Sequence, residues 1–270
     1  LFKIYDKLVY SKFREIFGSR VDKLVSGGAP LSKDIAQFFV NIGVPVYQGY
    51  GMTEFSPVIS TNYPNANKVG SCGKVIPSAQ IKINENNELL VRGDSLMLGY
   101  LNQEELTKNT IDSDGWLHTG DVAYLDEDGY LFIKSRIKDI FKTSTGEYVN
   151  AIEIEQKLSK NRYIEFAVVI SQNRKYTTAL LFVDKEKYEN AKKLNKNLTI
   201  EEYYNKDDIL KNISNHINSV NSGLNKWEKI VKFKILTNDI SIETGELTPS
   251  MKISRSKIEE KYANIINSMY

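Results

Sequence analysis

A tyrosine between two glycines, followed by a hydroxyl and a carboxylate, is the first group of residues that could do chemistry. These residues lie within positions 48–54. Glycines let a backbone approach a ligand closely, and the ring of Tyr50 offers a stacking face. Thr53 adds a hydroxyl, and Glu54 adds a hard oxygen ligand of the kind Mg²⁺ prefers. A Gly-Tyr-Gly turn is also typical of a structural strand end, so this segment alone leaves both interpretations open.

Two further segments carry charged groups suited to a nucleotide. Residues 114–121 end in Asp121 directly after a glycine, where its carboxylate could accept hydrogen bonds from ribose hydroxyls. The alternative is a turn cap. Residues 135–148 contain Arg136, whose planar guanidinium could donate to phosphate or ribose oxygens. The alternative for this segment is a charged β-hairpin with solvated faces.

A lysine close to the C-terminus is the fourth candidate. Lys252 follows a proline turn in the glycine-containing stretch 245–252. A lysine there could neutralise charge that develops on a carboxylate oxygen and an α-phosphate together. As one lysine among many, it is equally interpretable as a solvated side chain.

The elements that must position these groups begin with a βαβ unit. Apolar spacing predicts a helix over 4–17, a strand at 23–25, a helix from Ser32 to Gly43 and a strand at 44–47. The second helix is expected to bury a stripe of apolar residues, Ile35, Phe38, Phe39 and Ile42. Parallel strands place the following loops where open α/β folds bind ligands.

The sequence pattern, and with it the predicted secondary structure, changes twice further along the chain. From Val69 the glycine-rich sequence predicts a small twisted β subdomain with a hairpin of 79–83 and 88–91. After Arg136 the pattern is mixed, with a helix at 152–158 and strands at 165–171, 177–183 and 230–235. The polar stretch 185–212 is interpreted as exposed helix and loop.

Composition excludes several classes of protein. The 270 residues carry 36 Lys and Arg against 34 Asp and Glu, a net charge of +2, so no overall field favours nucleic acid. One cysteine and two histidines cannot form an internal disulfide or an ordinary zinc site, which fits a reducing, cytoplasmic compartment. No apolar run approaches the roughly 20 residues of a membrane span. The chain begins with Leu1 rather than Met.

In this order and spacing, the four segments resemble the adenylate-forming (acyl-activating) enzyme superfamily. The motifs are Tyr50-Gly51-Met52-Thr53-Glu54, Thr119-Gly120-Asp121 and the stretch 136–146. The sequence from Lys138 to Lys142 and the final Leu247-Thr248-Pro249-Ser250-Met251-Lys252 are most similar to long-chain fatty acyl-CoA synthetases. The likeness covers the whole chain but only the C-terminal part of such an enzyme, because the family's Ser/Thr/Gly-rich phosphate loop has no counterpart here.

The resemblance implies a role for each matching residue. The nucleotide-binding set is Gly27, Gly28 and Ala29 along the adenine, Gln48 near its amino group, Tyr50 stacked on it, Gly51, Thr53 at the α-phosphate, Asp121 on the ribose, and Arg136. The implied catalytic residues are Lys252, Thr53 and Glu54, with Glu54 as the Mg²⁺ ligand. Lys138 corresponds to the hinge, and Lys142 is a candidate for the coenzyme A face.

The fold implied by the resemblance is α/β and α+β. Residues 1–136 correspond to the end of the large AMP-binding domain, comprising a βαβ remnant (1–68) and a β subdomain (69–136). Residues 137–270 correspond to the small mobile domain. The expected substrates are a long-chain fatty acid, ATP with Mg²⁺, and coenzyme A, joined in two steps through an acyl adenylate.

Two alternatives remain open beside this expectation. One is another adenylating ligase, acting on aryl or amino acids or on an acyl carrier protein. The other is a noncatalytic nucleotide-binding fragment, because the isolated chain without a phosphate loop and the N-terminal half is expected to be inactive. Peripheral membrane contact also stays open, since long-chain acids partition into bilayers.

Overall fold

The computed structural model describes residues 2–18 and 20–270, which form two compact units. The boundary lies between Ile137 and Lys138, next to the limit at residue 136 expected from the sequence. No helix in the described ranges is long and apolar enough to cross a membrane. Each unit has its own core and is described separately.

The first unit opens with a helical segment whose apolar residues recur at helical spacing. It consists of α1 (Phe2–Tyr5), a π-helical turn (Asp6–Tyr10) and α2 (Ser11–Ile16). Arg14 donates to Asp6 at 2.7 Å and to the carbonyl of Ile42 at 2.6 Å, which ties this segment to the end of the next helix. The helix predicted over 4–17 is therefore confirmed, with a π turn that periodicity does not reveal.

The βαβ unit is confirmed, and it is part of a larger sheet. Its elements are β1 (Leu24–Ser26), α3 (Lys33–Asn41), β2 (Val46–Gly51), β3 (Val58–Thr61) and β4 (Lys74–Val75), with strand order β1-β2-β3-β4. β1 and β2 are parallel, whereas β3 and β4 are added antiparallel. Because β4 pairs with β3, this first sheet runs beyond the expected limit at residue 68.

The buried stripe predicted for α3 is wrong in part. Ile42 is 1% exposed, but Ile35 is 50% exposed and Phe38 is 41% exposed. Phe38 makes an edge contact with Phe13 of α2, with ring centroids 5.5 Å apart. Periodicity predicts which residues share a helix face, but it does not determine whether another element covers that face.

The β subdomain is a four-stranded antiparallel sheet with one helix. Its elements are β5 (Ala79–Ile83), β6 (Glu88–Gly93), α4 (Glu104–Thr110), β7 (Leu117–Leu125) and β8 (Leu131–Arg136), with strand order β5-β6-β7-β8. The predicted hairpin of β5 and β6 is confirmed. Phe55, after β2, packs with Ile59, Val91 and Leu117, so one core joins the first sheet to this one.

The second unit contains a hairpin and a three-stranded sheet with helices on both faces. Its strands are β9 (Ile140–Lys142), β10 (Tyr148–Asn150), β11 (Ile164–Ile170), β12 (Thr177–Val183) and β13 (Ile230–Leu236). Its helices are α5 (Ala151–Leu158), α6 (Lys185–Lys192), α7 (Ile200–Tyr204), α8 (Asp207–Ser222), α9 (Arg255–Lys261) and α10 (Ala263–Ser268).

The central strand β12 is buried along its whole length. Leu181 packs in one core cluster with residues of α5 and α8, while the neighbouring Leu180 packs in another with residues of α9 and α10. Successive side chains of a strand point to opposite faces, so covering both faces buries every residue. The polar stretch 185–212 is less exposed than expected, because Tyr188 and Tyr204 anchor it in the core.

Candidate functional site

The segment 48–54 forms the end of β2 and a short turn of 3₁₀ helix, Thr53–Phe55. Gly51 is required by a close approach within the chain itself, because a Cβ there would lie 1.8 Å from the carbonyl oxygen of Pro57. Met52 donates its amide to that same oxygen at 2.8 Å. The glycine thus closes the turn that presents Tyr50 and Thr53.

Tyr50, Asp121 and Arg136 form one hydrogen-bonded group. The hydroxyl of Tyr50 donates to Oδ2 of Asp121 at 2.5 Å, and Nε of Arg136 donates to Oδ1 at 3.0 Å. Asp121 is 3% exposed. Burial and the neighbouring Asp121 carboxylate raise the pKa of Tyr50 above its usual range, so the hydroxyl stays protonated and donates. The structure therefore brings together three of the residues that the sequence implied for a nucleotide.

An irregularity in β7 presents the Asp121 carboxylate. Gly120 has φ +68°, and the pairing of β6 with β7 shifts register beside it. The carboxylate of Glu88 accepts from the Gly120 amide at 3.2 Å and meets Nδ1 of His118 at 3.0 Å. The hydroxyl of Thr119 accepts from the Asp121 amide at 3.1 Å. Glu88 was missed from the sequence, because only the strand pairing brings it to this bulge.

Glu54 is held by a residue that sequence analysis also missed. The hydroxyl of Tyr100 donates to Oε1 of Glu54 at 2.8 Å, and the amide of Met97 donates to the Glu54 carbonyl at 2.8 Å. Burial, together with the hydrogen bond to Glu54, raises the pKa of Tyr100. Tyr100 lies 46 positions from Glu54 in the sequence, so no local pattern pointed to this pair.

A single protein carboxylate is sufficient for a Mg²⁺ site when phosphates and waters complete the coordination shell. Mg²⁺ keeps several waters and takes one or two carboxylates plus substrate phosphates. Glu54 offers hard oxygen and is partly exposed. In the part of the chain that the structure describes, no three or more His, Cys, Asp or Glu side chains form a metal cluster, so a complete protein cage is not the kind of site present there.

The residues expected along an adenine follow β1, which is the neighbour of the Tyr50 strand β2 in the first sheet. Ser26 of β1 is paired with Gln48 of β2, so residues 27–29 leave the sheet beside Gln48. Gly28 has φ +80°, a backbone conformation that favours glycine. Residues 27–29 are exposed. The amide nitrogen of Gln48 lies 3.9 Å from the sulfur of Cys72.

The single cysteine of the chain and the turn before Asp121 both have structural roles. Cys72 is buried, and burial raises the pKa of its thiol to about 11, which is the environment of a packed residue rather than of a nucleophile. The start of the segment 114–121 is a turn in which Asp112 accepts from the amides of Asp114 and Trp116 at 3.0 and 2.8 Å. The turn-cap alternative concerned Asp121, which lies beyond this turn and whose carboxylate is bonded to Tyr50 and Arg136.

Lys138 and Lys142 lie at the start of the second unit. Lys138 is exposed within a 3₁₀ turn, Ile137–Asp139. The hairpin given as the alternative for segment 135–148 is present, with β9 and β10 antiparallel. Lys142, at the end of β9, is exposed and lies 5.8 Å from the ring centre of Tyr148.

Lys252 lies on a loop that folds back on itself. Leu247 and Ile253 form an antiparallel bridge, and Thr248 donates its amide to the carbonyl of Lys252 at 2.8 Å. Lys252 is exposed. The loop that carries Lys252 therefore has a defined backbone conformation.

Two family matches cover most of the sequence. The family described as AMP-binding enzyme matches residues 3–101, and the family described as AMP-binding enzyme C-terminal domain matches residues 138–270. This chain belongs to the AMP-binding enzymes. The second match begins where the second compact unit begins.

Relatives and solved structures agree with this membership. A long-chain-fatty-acid–CoA ligase of Mycobacterium bovis is 35% identical over 270 residues, which cover 99% of this chain and 45% of that protein. The adenylation domain of a carboxylate reductase from Mycobacterium chelonae has the same fold, with TM-score 0.77, 23% identity, and coverage of 99% of this chain and 41% of that one. O-succinylbenzoate coenzyme A synthetase from Bacillus subtilis, in complex with AMP, is 26% identical with TM-score 0.65, over 88% of this chain and 45% of that one.

This AMP-binding enzyme chain thus spans about half the length of the curated relatives it matches. Its candidate residues divide between the two units. The Tyr50, Asp121 and Arg136 group and Glu54 belong to the first unit, while Lys138, Lys142 and Lys252 belong to the second.

Proposed function

We propose that this chain is the C-terminal part of an ATP-dependent long-chain-fatty-acid–CoA ligase. The observation that carries the proposal is the hydrogen-bonded group of Tyr50, Asp121 and Arg136. It places an aromatic ring, a buried carboxylate and a guanidinium together in a chain 35% identical to a long-chain-fatty-acid–CoA ligase. The proposed product is an acyl-CoA, formed through an acyl adenylate with release of pyrophosphate and AMP.

In this proposal the first unit binds the nucleotide. The ring of Tyr50 stacks on the adenine, with residues 27–29 and Gln48 at its edge. Asp121 accepts from the ribose hydroxyls, since an ionised carboxylate is an acceptor only, and the hydrogen bonds from Tyr50 and Arg136 fix its orientation. Arg136 is 60% exposed at its side chain, so its remaining N–H groups can reach the nucleotide.

Glu54 and Thr53 serve the phosphates. Thr53 is exposed on the 3₁₀ turn, where its hydroxyl can donate to the α-phosphate. Glu54 holds Mg²⁺ through a carboxylate oxygen, and Tyr100 fixes the orientation of that carboxylate. When bound, Mg²⁺ offsets negative charge on the phosphate oxygens.

The second unit supplies the cation for adenylation. Lys252 neutralises charge as the fatty carboxylate attacks the α-phosphorus, and AMP becomes a good leaving group for the thiol of coenzyme A. Lys138 is the proposed hinge that lets this unit serve both steps, and Lys142 is the proposed residue of the thiol-accepting face. A cytoplasmic location with peripheral membrane contact belongs to the same proposal, since long-chain acids partition into bilayers.

Pyrophosphate exchange into ATP by the full-length protein tests the adenylation step. Fatty-acid-dependent exchange is expected, and Lys252→Ala should abolish it while Lys257→Ala, a lysine on α9, should not. Exchange that needs no fatty acid, or that survives Lys252→Ala, contradicts the assigned reaction or role. A panel of aryl, amino and fatty acids separates this proposal from the other adenylating ligases.

The isolated chain tests the nucleotide site without catalysis. The proposed adenosine-binding residues all lie before residue 137, so the 270-residue chain is expected to bind AMP in a calorimetric titration. Asp121→Asn should weaken that binding, because the neutral amide replaces a buried acceptor of the ribose. The same chain should not form acyl-CoA on its own.

A further inference from the structure

The loop that carries Lys252 is a small arch, defined here as residues 247–253 and called the Lys252 arch. Leu247 and Ile253 pair at its base. Across its width the amide of Lys252 donates to the hydroxyl of Thr248 at 3.1 Å, and the amide of Met251 donates to the Thr248 carbonyl at 2.8 Å. Met251 has φ +60°, which non-glycine residues seldom adopt. The arch is closed within itself, so its position depends on the residues that flank it. These are Glu246 before it and Ser254 with Arg255 after it, called here its first and second foot.

The first foot is a buried carboxylate. Glu246 is 0% exposed, and its side chain accepts from the ammonium of Lys261 and the hydroxyl of Thr244. Its main-chain carbonyl accepts from the amide of Ser254 at 2.7 Å, which links it to the other foot. Burial opposes ionisation, but the bonds from Lys261 and Thr244 outweigh it and lower the pKa of Glu246 to about 2.

The second foot is an arginine directed into the sheet. Arg255 donates to Oε1 of Glu155 at 2.6 Å and to the carbonyl of Val169 at 2.8 Å. The same carboxylate accepts from the Val169 amide at 2.7 Å, and the guanidinium lies 4.8 Å from the ring centre of Phe141. This foot is therefore fixed to α5, β9 and β11 together.

One helix connects both feet. α9 begins at Arg255 and ends at Lys261. A carboxylate buried as completely as Glu246 is stable only when it is paired, so the contact with Lys261 cannot be lost without moving Glu246 or leaving it uncompensated. Lys252 lies six positions after Glu246. Because the hydrogen bonds of the arch hold its backbone together, a displacement of Glu246 also displaces Lys252.

We propose that Glu246 is a positioning residue for Lys252, acting through its ion pair with Lys261 to fix the foot of the Lys252 arch. The inference rests on the proposed role of Lys252 in adenylation. A displacement of about 1 Å in a reacting group is enough to cost roughly a hundredfold in rate, so a foot fixed by a buried ion pair has a direct kinetic value. Neither Glu246 nor Lys261 needs to touch a substrate.

Hydrogen exchange in the 270-residue chain tests the structural half of this proposal. Lys261→Met removes the charged partner of Glu246. Lys257→Met is the matched control, since Lys257 pairs with Glu260 at 2.9 Å on the exposed side of the same helix. Lys261→Met should accelerate exchange at the amides of Thr248 and Lys252 by roughly tenfold, while Leu181 in the core stays protected. If the amides of Thr248 and Lys252 exchange equally fast in Lys261→Met and Lys257→Met, the proposal is overturned, whatever reaction the protein performs.

Separate half-reactions of the full-length protein test the functional half. Lys261→Met should lower pyrophosphate exchange by roughly tenfold, leave thioester formation from supplied acyl adenylate unchanged, and be rescued by Lys261→Arg. Faster arch exchange with normal pyrophosphate exchange, or an equal loss in both half-reactions, contradicts positioning of Lys252. If Lys252→Ala itself leaves pyrophosphate exchange intact, the proposed function fails instead, and the two failures are distinguishable.

Discussion

The Tyr50 hydroxyl donates to Oδ2 of Asp121 at 2.5 Å, and this bond joins two different sheets of the first unit. Tyr50 lies near the end of β2 in the first sheet, whereas Asp121 lies on β7 of the second. The ring proposed to stack on the base and the carboxylate proposed to bind the ribose therefore set each other's position. A tyrosine here has a role that phenylalanine, with the same stacking face, does not reproduce.

Tyr50→Phe should weaken AMP binding to the 270-residue chain by roughly tenfold, because a hydrogen bond to a charged group contributes about 1.5–3 kcal/mol. Stacking remains, but Asp121 loses a donor that orients it. Isothermal titration calorimetry measures the change. Tyr124→Phe is the control, since Tyr124 is 40% exposed on the same strand as Asp121. Equal affinities for the two variants would contradict the orienting role.

Tyr100→Phe should weaken metal binding without removing nucleotide binding. The substitution deletes the donor to Oε1 of Glu54, so that carboxylate is less fixed. Electron paramagnetic resonance with Mn²⁺ in place of Mg²⁺, in the full-length protein with ATP, should show several-fold weaker Mn²⁺ binding. Tyr63→Phe, at a 45% exposed tyrosine of the same unit, should bind normally. Unchanged Mn²⁺ affinity in Tyr100→Phe argues against this role.

Glu246 should make the second unit sensitive to acid. Its pKa falls from 4.5 to about 2 on folding, so its stabilisation is complete above pH 4.5 and is lost as the pH decreases toward 2. The difference corresponds to roughly 3 kcal/mol. Urea unfolding of the second unit at pH 6 and pH 3 should show about 2 kcal/mol of this loss, because Glu246 is still largely ionised in the folded state at pH 3. Glu246→Gln should lose less stability on acidification than the parent, while the exposed control Glu259→Gln should behave as the parent does.

Two buried tyrosines of the second unit should respond differently to loss of their hydroxyls. The Tyr262 hydroxyl is buried and has no hydrogen-bond partner among the residues that the structure describes, whereas the Tyr204 hydroxyl donates to the carbonyl of Asp184. Tyr204→Phe should lower the free energy of unfolding by about 1–2 kcal/mol, and Tyr262→Phe should leave it unchanged or raise it. Denaturant unfolding followed by circular dichroism compares them, and a larger loss for Tyr262→Phe would show that its hydroxyl is paired.

Cys72 should react slowly with iodoacetamide in the folded chain. Its pKa is raised from 9.0 to about 11, so the thiolate fraction at pH 8 falls by about a hundredfold, and burial restricts access further. Mass spectrometry of alkylated chain in buffer and in guanidinium chloride compares the two states. Rapid alkylation in buffer would mean that the thiol is accessible.

Local patterns were sufficient to predict most elements of this fold. The run 177–183 was predicted as a strand because its apolar and β-branched residues are continuous, and β12 has those bounds. The face of α3 was not predictable in the same way. Exposure of Ile35 depends on whether another element packs on it, and the sequence of α3 contains no such information.

The candidate site shows the same division between local and distant information. Tyr50, Glu54 and Asp121 were selected as candidates because glycines and neighbouring polar residues mark them locally, and the family resemblance then assigned their roles. Tyr100 and Glu246 were missed, because their importance comes from hydrogen bonds to partners 46 and 15 positions away. Such partners become visible only when the chain is folded.

The carbonyl oxygen of Pro57, 1.8 Å from where a Gly51 side chain would begin, also has a genetic consequence. The obstructing atom belongs to the backbone, which every residue type carries, so no second-site change of side chain at position 57 can remove it. A destabilising substitution at Gly51 should therefore not be rescued by a second substitution at position 57. Gly49, where an added Cβ would meet backbone at 3.2 Å, is the position at which alanine and a compensating shift can coexist.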